Sequence, residues 1–134
     1  MLSLSSLVRI YLHAAPVNLH YSFDRLAGMV RDQMGRDPLS GHLFVFRNRR
    51  GDRVKLLVWD DDGWVLYYKR LERGVFKFPV VSPDTCAVQV SVADLSLLLW
   101  GIDADSVRRQ KRFSLEEHRA AHTVPRSTPW RATP

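Results

Sequence analysis

The chain has a single cysteine, Cys86, and no long hydrophobic run. One cysteine excludes an internal disulfide and suits a reducing cytosol. No apolar run approaches the roughly 18 residues that cross a bilayer. The first residues lack a basic leader, so we expect no signal peptide. These absences predict a soluble, cytoplasmic protein with no membrane partner.

The chain is also poor in the patterns that carry catalysis or bind cofactors. None of its 7 glycines belongs to a phosphate-cradling loop. Cys86 has no base or carboxylate beside it, as a nucleophile would need. His118 and His122 are four residues apart, but they lack the glutamate of the zinc-protease motif and a nearby cysteine. We therefore expect a protein that is not an enzyme and holds neither metal nor cofactor.

Positive charge is abundant by comparison. Lys and Arg number 20 against 14 Asp and Glu, a net charge of +6, within 134 residues. Nine basic residues lie between Arg47 and Lys77, and seven more between Arg108 and Arg131. Clusters of this kind attract phosphate polyanions, which makes a nucleic acid an expected partner, with a merely solvated basic surface as the alternative.

The hydrophobic pattern predicts the order of the elements. Residues 8–17 alternate as a lead strand, and Ser22 to Gly35 reads as a helix with an N-cap serine and a C-cap glycine. Residues 42–79 read as four consecutive antiparallel strands, "HLFVFRN", "RVKLLVW", "WVLYYKRL" and "VFKFP". Residues 91–101 form a second helix, in which Ser91 and Asp94 resemble a capping box.

These elements predict an α+β fold, an antiparallel β-meander of four to five strands with two helices and a basic C-terminal tail. We expect a single domain over residues 1–103. Residues 104–134 are charged and polar, and we expect them to form a flexible tail.

The three aspartates Asp60, Asp61 and Asp62 stand between Trp59 and Gly63. Carboxylates on a turn are potential Mg²⁺ or Ca²⁺ ligands. Adjacent residues point in different directions, however, and the spacing does not match a calcium loop. Asp and Gly are also the residues that hairpin turns select. The pattern therefore favours a turn over a metal site.

The faces of the meander depend on its register. If Arg50-Gly51 and Asp61-Asp62 are the hairpin tips, one face is aliphatic and the other carries rings and cations. The aliphatic face holds Leu43, Val45, Val54, Leu56, Val58, Val65 and Leu71. The other holds Phe44, Phe46, Lys55, Leu57, Trp59, Trp64, Leu66, Tyr68 and Arg70. Rings beside cations are typical of surfaces that stack on bases and hold phosphates, but a helix or a second subunit covering this face is the alternative.

The candidate nucleic-acid site follows from this face and from the arginine-rich loop. Arginine makes forked contacts with phosphate, to which backbone N–H groups of a glycine turn add. The candidate nucleic-acid contacts are Arg47, Arg49, Arg50, Arg53, Lys55, Lys69, Arg70 and Arg73, with Trp59, Trp64 and Tyr68 as stacking surface.

The run "SGHLFVFRNRRGDRVKLLVWD" followed by "YYKRLERG" resembles the central signature of a known family. This family is the Orf2-like accessory proteins, also called TnpB, of bacterial insertion sequences of family sixty-six. "SFDRLAGMV" and "LSLLLWGID" fit the same family, so the resemblance covers residues 8–103. Members commonly carry an Asp-Met-Arg-Lys type segment before the first helix, where this chain has Asn18-Leu19-His20-Tyr21 and two fewer positive charges.

The resemblance implies a small protein that is encoded beside a transposase and assists movement of the element. The family offers no catalytic residues to carry over. DNA binding and contact with transposition proteins are the roles it implies. An adapter that binds the transposase or another transposition protein without touching DNA is thus the alternative function, and a homo-oligomer is a further candidate assembly.

Overall fold

The computed structural model describes residues 7–100, 102–103 and 108–109. They form a five-stranded, mostly antiparallel sheet with two helices, which confirms the α+β fold. The main sheet contains β1 (Ile10–His13), β2 (Leu43–Arg47), β3 (Arg53–Asp60), β4 (Gly63–Arg70) and β5 (Ala87–Val90), in the spatial order β4-β3-β2-β1-β5. Among the described residues, no helix is long and apolar enough to span a membrane.

The first helix, α1 (Phe23–Asp32), connects the two strands that pair in parallel, β1 and β2. Ser22 occupies the N-cap position in an extended conformation, although its side chain makes no capping hydrogen bond. At the other end Gly35 has a φ of 65°, and the amide of Arg36 donates to the carbonyl of Val30 at 3.1 Å. The predicted glycine therefore ends the helix in the left-handed conformation that glycine adopts at low cost.

The second helix, α2 (Val92–Trp100), begins at the predicted capping box. The amide of Asp94 donates to Ser91 Oγ at 3.0 Å, and the amide of Ser91 donates to Asp94 Oδ2 at 3.4 Å. Two of the donors that a helix start leaves unpaired are thereby satisfied.

The two helices lie on opposite faces of the sheet. The α1 side buries Leu26 and Val30 of the helix against Phe44, Phe46 and Leu57 of the strands. On the other side, Leu95 and Leu98 of α2 pack on the aliphatic face, which includes Leu43, Val45, Val54 and Leu56. Each apolar face of the sheet thus receives a cover, as a layered α+β domain requires.

The register of the meander is the predicted one. Phe44 pairs with Leu57 and Phe46 with Lys55, while Leu57 also pairs with Leu66. The aliphatic and aromatic faces are therefore correctly assigned. The aromatic face is covered by α1 over its central part, which was the alternative that the sequence left open.

One predicted strand is wrong and one strand was not predicted. The segment "VFKFP" does not form a strand; after β4 the chain bends across the end of the sheet, and the buried side chain of Phe76 packs in the aliphatic cluster. The fifth strand is instead β5, whose residues pair antiparallel with β1. The lead strand β1 is therefore the fourth strand of the sheet and lies between β2 and β5.

A two-stranded ladder joins β6 (Ile102–Asp103) and β7 (Arg108–Arg109). The predicted boundary between the domain (residues 1–103) and the tail (residues 104–134) falls between these two strands. It stays a prediction. The tail from residue 110 onward lies outside the described residues, and so does the pair His118 and His122.

Candidate nucleic-acid interface

The loop between β2 and β3 is organised by one side chain, that of Asn48. Its Oδ1 accepts hydrogen bonds from the amides of Gly51 and Arg53, each at 3.0 Å, and its Nδ2 donates to Asp52 Oδ1 at 2.6 Å. Gly51 has a φ of 78°, a conformation that disfavours residues with a Cβ. Asn48 and Gly51 thus hold the loop in one tight conformation, from which Arg49 and Arg50 extend as exposed side chains.

The charge of Asp52 is maintained by its surroundings in the same loop. The hydrogen bond from Asn48 lowers the pKa of Asp52, desolvation raises it in part, and the charges of Arg50 and Arg53 lower it further. The carboxylate is therefore ionised at neutral pH and offsets part of the repulsion among the arginines.

Residues 71–76, which follow β4 in the chain, form hydrogen bonds with this loop. The amide of Leu71 donates to the carbonyl of Asp52 at 2.8 Å, and the amide of Phe76 donates to the carbonyl of Gly51 at 2.7 Å. A Cβ on Gly51 would lie 3.6 Å from Cβ of Val75. The bend after β4 and the arginine-rich loop are thus in direct contact.

An open cleft of about 530 Å³ lies between this loop and residues 75–85. Its described lining includes four cationic side chains and no acidic one. The four are Arg47, Arg49, Arg50 and Lys77. We call this feature the basic cleft. Apolar side chains such as Phe78 and Val80 form the rest of its wall.

Arg47 forms the floor of the basic cleft. Its guanidinium donates to the carbonyl of Ala14 at 2.8 Å and lies over the ring of Phe78, 5.1 Å from the centroid. Partial burial lowers the pKa of Arg47, yet a guanidinium remains protonated at neutral pH. The side chain is held in place before any ligand arrives, and a pre-ordered cation loses less entropy on binding than a mobile one.

A second cationic group lies at the same end of the sheet, on the face that α1 covers. Arg53 pairs across the strands with Arg70, and its NH1 donates to the hydroxyl of Tyr68 at 3.3 Å. Arg70 is exposed and contacts Glu72 at 3.2 Å. Arg73 follows in the exposed bend after β4. These residues extend the positive surface beyond the basic cleft.

Lys55 and Lys69 lie elsewhere. Lys55 is only 6% exposed, and its ammonium donates to the carbonyl of Tyr21 at 2.9 Å and lies 4.8 Å from the ring centroid of Tyr68. Lys69 is on the opposite face, with its Nζ 5.9 Å from the ring centroid of Trp100. The structure therefore places Lys55 inside the protein and separates Lys69 from the arginines of the other face.

The two predicted tryptophans are at the opposite end of the meander. Trp59 and Trp64 pair across the strands with their rings edge to face, 5.1 Å between centroids. They adjoin the turn of Asp60, Asp61 and Asp62. Trp64 and Arg70 are at the two ends of β4, about 20 Å apart along the strand. The rings thus lie beside carboxylates and not beside the arginine-rich loop.

The three aspartates form the predicted hairpin turn. Asp60 pairs with Gly63, Asp61 has a φ of 47°, and the amide of Asp62 bonds to the carbonyl of Asp60. Within the described part of the chain, no group of three or more His, Cys, Asp or Glu residues is arranged to hold a metal ion.

One member of the basic cleft, Lys77, was absent from the predicted site. The sequence pattern assigned "VFKFP" to a strand of the meander, which would have placed Lys77 on its surface. In the structure this segment crosses the end of the sheet, so Phe76 is buried while Lys77 is exposed and faces the cleft. The sequence does contain one signal for the position of Lys77, which is that it stands between two phenylalanines. When both rings point into the protein, the lysine between them points outward.

Fold and cleft together define a small α+β protein with an arginine-rich surface at one end of its sheet. The family model described as IS66 Orf2 like protein matches residues 8–109. The chain belongs to this family, and the resemblance read from its central run is confirmed. It is thus a protein associated with insertion sequences and an accessory of transposition.

Two relatives come from Sinorhizobium fredii (strain NBRC 101917 / NGR234). The uncharacterized protein y4hO is 40% identical over 96 residues, which is 72% of this chain and 82% of the relative. The uncharacterized protein y4jC is 36% identical over 103 residues, 77% of this chain and 86% of the relative. No solved structure is significantly similar to the chain.

Proposed function

We propose that this protein is a non-catalytic accessory factor of DNA transposition that binds the phosphate backbone of DNA through the basic cleft. The observation that carries the proposal is the convergence of Arg47, Arg49, Arg50 and Lys77 on one open cleft with no acidic residue among its described lining. The family supplies the setting, since an insertion sequence moves as DNA.

The chemistry of the cleft favours phosphate over bases. Guanidinium groups make forked hydrogen bonds with phosphate oxygens, and such contacts position a protein on DNA without reading its sequence. Tyr68 is 49% exposed beside Arg53 and is the one predicted stacking residue at the basic end. Lys55 is engaged inside the protein, and the tryptophans adjoin carboxylates that repel phosphate. The proposed surface therefore omits Lys55, Trp59 and Trp64.

The test is neutralisation of the exposed cations of the cleft. The triple variant Arg49→Gln, Arg50→Gln, Lys77→Gln should weaken binding to duplex DNA by about 10²-fold at 0.1 M salt and reduce the slope of log affinity against log salt by about 2.7. Fluorescence anisotropy with labelled duplex across a salt series measures both quantities.

The matched control removes three exposed cations outside the cleft, Arg9→Gln, Arg25→Gln and Arg31→Gln. Both triples lower the net charge equally, so a general charge effect would weaken binding alike in the two proteins. Equal loss in both, or unchanged affinity in the cleft variant, contradicts the proposal.

A protein-interaction adapter is the second candidate function. It is favoured by exposed apolar side chains, among them Val80, which is 101% exposed at the cleft rim, and Val65 and Tyr67 on β4. In that function the arginines contact acidic patches of a transposition protein. Absence of DNA binding at low salt by the unmodified chain would favour the adapter, and the transposase would be the partner to test.

A further inference from the structure

Strand β4 is a long and unprotected edge of the sheet. It has eight residues, pairs only with β3 among the described strands, and keeps one register without a bulge. It contains no proline. The opposite edge, β5, has only four residues. Natural edge strands are usually short, bulged or interrupted, because a regular edge is a template for another strand.

The hydrogen bond from Leu71 shows which backbone groups of β4 point outward. The amide of Leu71 donates to Asp52 on the β3 side, in line with the register of the hairpin. Backbone direction alternates along a strand, so the amides and carbonyls of Trp64, Leu66, Tyr68 and Arg70 face away from β3. No described residue forms a hydrogen bond with the outward groups of Trp64, Leu66 or Tyr68.

The side chains of the same strand are apolar in the middle and charged with opposite signs at the ends. Val65, Tyr67 and Tyr68 are 37%, 39% and 49% exposed. The start of β4 follows the acidic turn that ends with Asp62, and β4 ends with the exposed Arg70. A strand with this polarity complements a copy of itself that runs in the opposite direction.

We propose that β4 pairs antiparallel with β4 of a second copy of this chain, with Leu66 on the two-fold axis, to form one continuous sheet across both copies. Outward backbone groups must face each other and each face of the sheet must continue, so even-numbered residues lie opposite even-numbered ones. With Leu66 on the axis, Trp64 lies opposite Tyr68, Val65 opposite Tyr67, and Asp62 opposite Arg70.

This register brings each exposed apolar residue of β4 against a ring or an aliphatic side chain of the second copy. Aromatic pairs, ring-to-β-branched pairs and opposite charges are the cross-strand contacts that stabilise sheets. Of the two neighbouring permitted registers, the one with Tyr67 on the axis sets Asp62 opposite Glu72, a pair of like charges. The one with Val65 on the axis pairs Asp60 with Arg70, but it sets Gly63 opposite Tyr67, so this ring loses its cross-strand side-chain partner. The register centred on Leu66 therefore has the most favourable set of cross-strand contacts.

The assembly is tested with the full chain in the absence of DNA, so its outcome is independent of DNA binding. In sedimentation equilibrium at low salt, the unmodified chain should form a concentration-dependent dimer. Asp62→Lys or Arg70→Glu should each raise the Kd of the dimer about tenfold or more, because like charges then face each other at two places. The double variant, with the charges exchanged, should return the Kd to within about threefold of the unmodified value.

Asp84→Lys is the matched control, since it makes the same charge change at an exposed residue remote from β4 in the sequence, and it should leave the Kd unchanged. A chain that stays monomeric at roughly 100 µM, or a dimer that neither single variant weakens, overturns the proposal.

Cross-linking tests the register in a Cys86→Ser background. Val65→Cys with Tyr67→Cys should give a disulfide-linked dimer on oxidation, because these residues oppose each other as a closely spaced pair, about 4.5 Å between Cα atoms. Tyr67→Cys alone and Val65→Cys alone should both remain uncoupled. Efficient coupling of either single variant would instead place that residue on the axis and overturn the register centred on Leu66.

Discussion

The two ends of strand β3 carry opposite charge and are built in different ways. At Arg53, the strand is preceded by a loop that a side chain organises and that residues 71–76 brace from outside. At Asp60, it is followed by a turn whose tip is Asp61 and Asp62 and whose described backbone bonds stay within the hairpin. The basic end is therefore shaped by contacts with a separate segment of the chain, whereas the acidic end is formed within a single hairpin.

The comparison shows why the arginine-rich loop lines a cleft and the turn of Asp61 and Asp62 does not. A turn closed by its own strands presents side chains on a convex tip, from which neighbouring residues diverge. The arginine-rich loop contacts residues 71–76. The basic cleft lies between this loop and residues 75–85, and Arg49, Arg50 and Lys77 line it together. Ligand sites are concave, and of these two described ends the braced one has that shape.

Removing the side chain of Asn48, which organises the loop at the basic end, should have the largest effect on stability. Asn48→Ala leaves the amides of Gly51 and Arg53 without their side-chain acceptor, and we expect the free energy of unfolding to fall by about 2 kcal/mol. Urea unfolding measures the change. Asn18→Ala is the matched control, because Asn18 Oδ1 accepts only the exposed amide of His20 and should cost about 0.5 kcal/mol or less. Equal losses in both variants would contradict a special role for Asn48.

Substitutions at Gly51 and Asp61, which both have positive φ, should change the stability of the fold in opposite directions. Gly51→Ala introduces a Cβ at a φ of 78° and should destabilise the fold by about 1–2 kcal/mol. Asp61→Gly relieves a non-glycine residue at a φ of 47° and should stabilise it by about 0.5 kcal/mol. Thermal unfolding of the two single variants checks the signs. A stabilised Gly51→Ala would mean that the loop tolerates a side chain there.

The smallest effect concerns acid stability. The pKa of Asp52 is lower in the folded than in the unfolded chain, so folding favours its ionised form. The resulting stability is fully present above the ordinary pKa of about 3.9 and is lost as pH falls through the lowered folded pKa. The unfolding free energy of Asp52→Asn should therefore decline less than that of the unmodified chain between about pH 5 and pH 2.5.

Asn48→Ala tests the cause, since it removes the first of the interactions that lower the pKa of Asp52. Its unfolding free energy should show part of the same reduction in pH dependence. An Asp52→Asn variant with an unaltered decline would show that the carboxylate contributes nothing to acid stability.

Most of the secondary structure was predictable because its signals are local. The alternation of "HLFVFRN" and "RVKLLVW" predicts β2 and β3 with the correct register, since the turn residues at Gly51 and Gly63 set which residues face each other. The two helices were found from their caps at Gly35 and Ser91. A strand as short as Ala87–Val90 was missed, because four residues carry little periodicity and its pairing with β1 is remote in sequence.

The candidate site was only partly predictable. A cluster of cations in sequence indicates an anionic partner, but side chains on one strand alternate between faces, so neighbours such as Lys69 and Arg70 separate. Lys55 shows the same limit. The period of two assigns it to a face of the sheet, but it does not reveal that the ammonium is buried against the carbonyl of Tyr21 and the ring of Tyr68. Lys77 could not be placed in the cleft until the path of the chain after β4 was known.

The sequence by itself determined the charge of the protein, the hairpin at Asp61, the helix caps and the two contrasting faces of the meander. These follow from interactions between residues close together in the chain, where propensity and turn geometry decide. Only the tertiary structure decided that β1 lies between β2 and β5, that α1 covers the central part of the aromatic face, and that Arg47 and Lys77 line one cleft. Those contacts join segments far apart in sequence, and packing of the complete chain selects them.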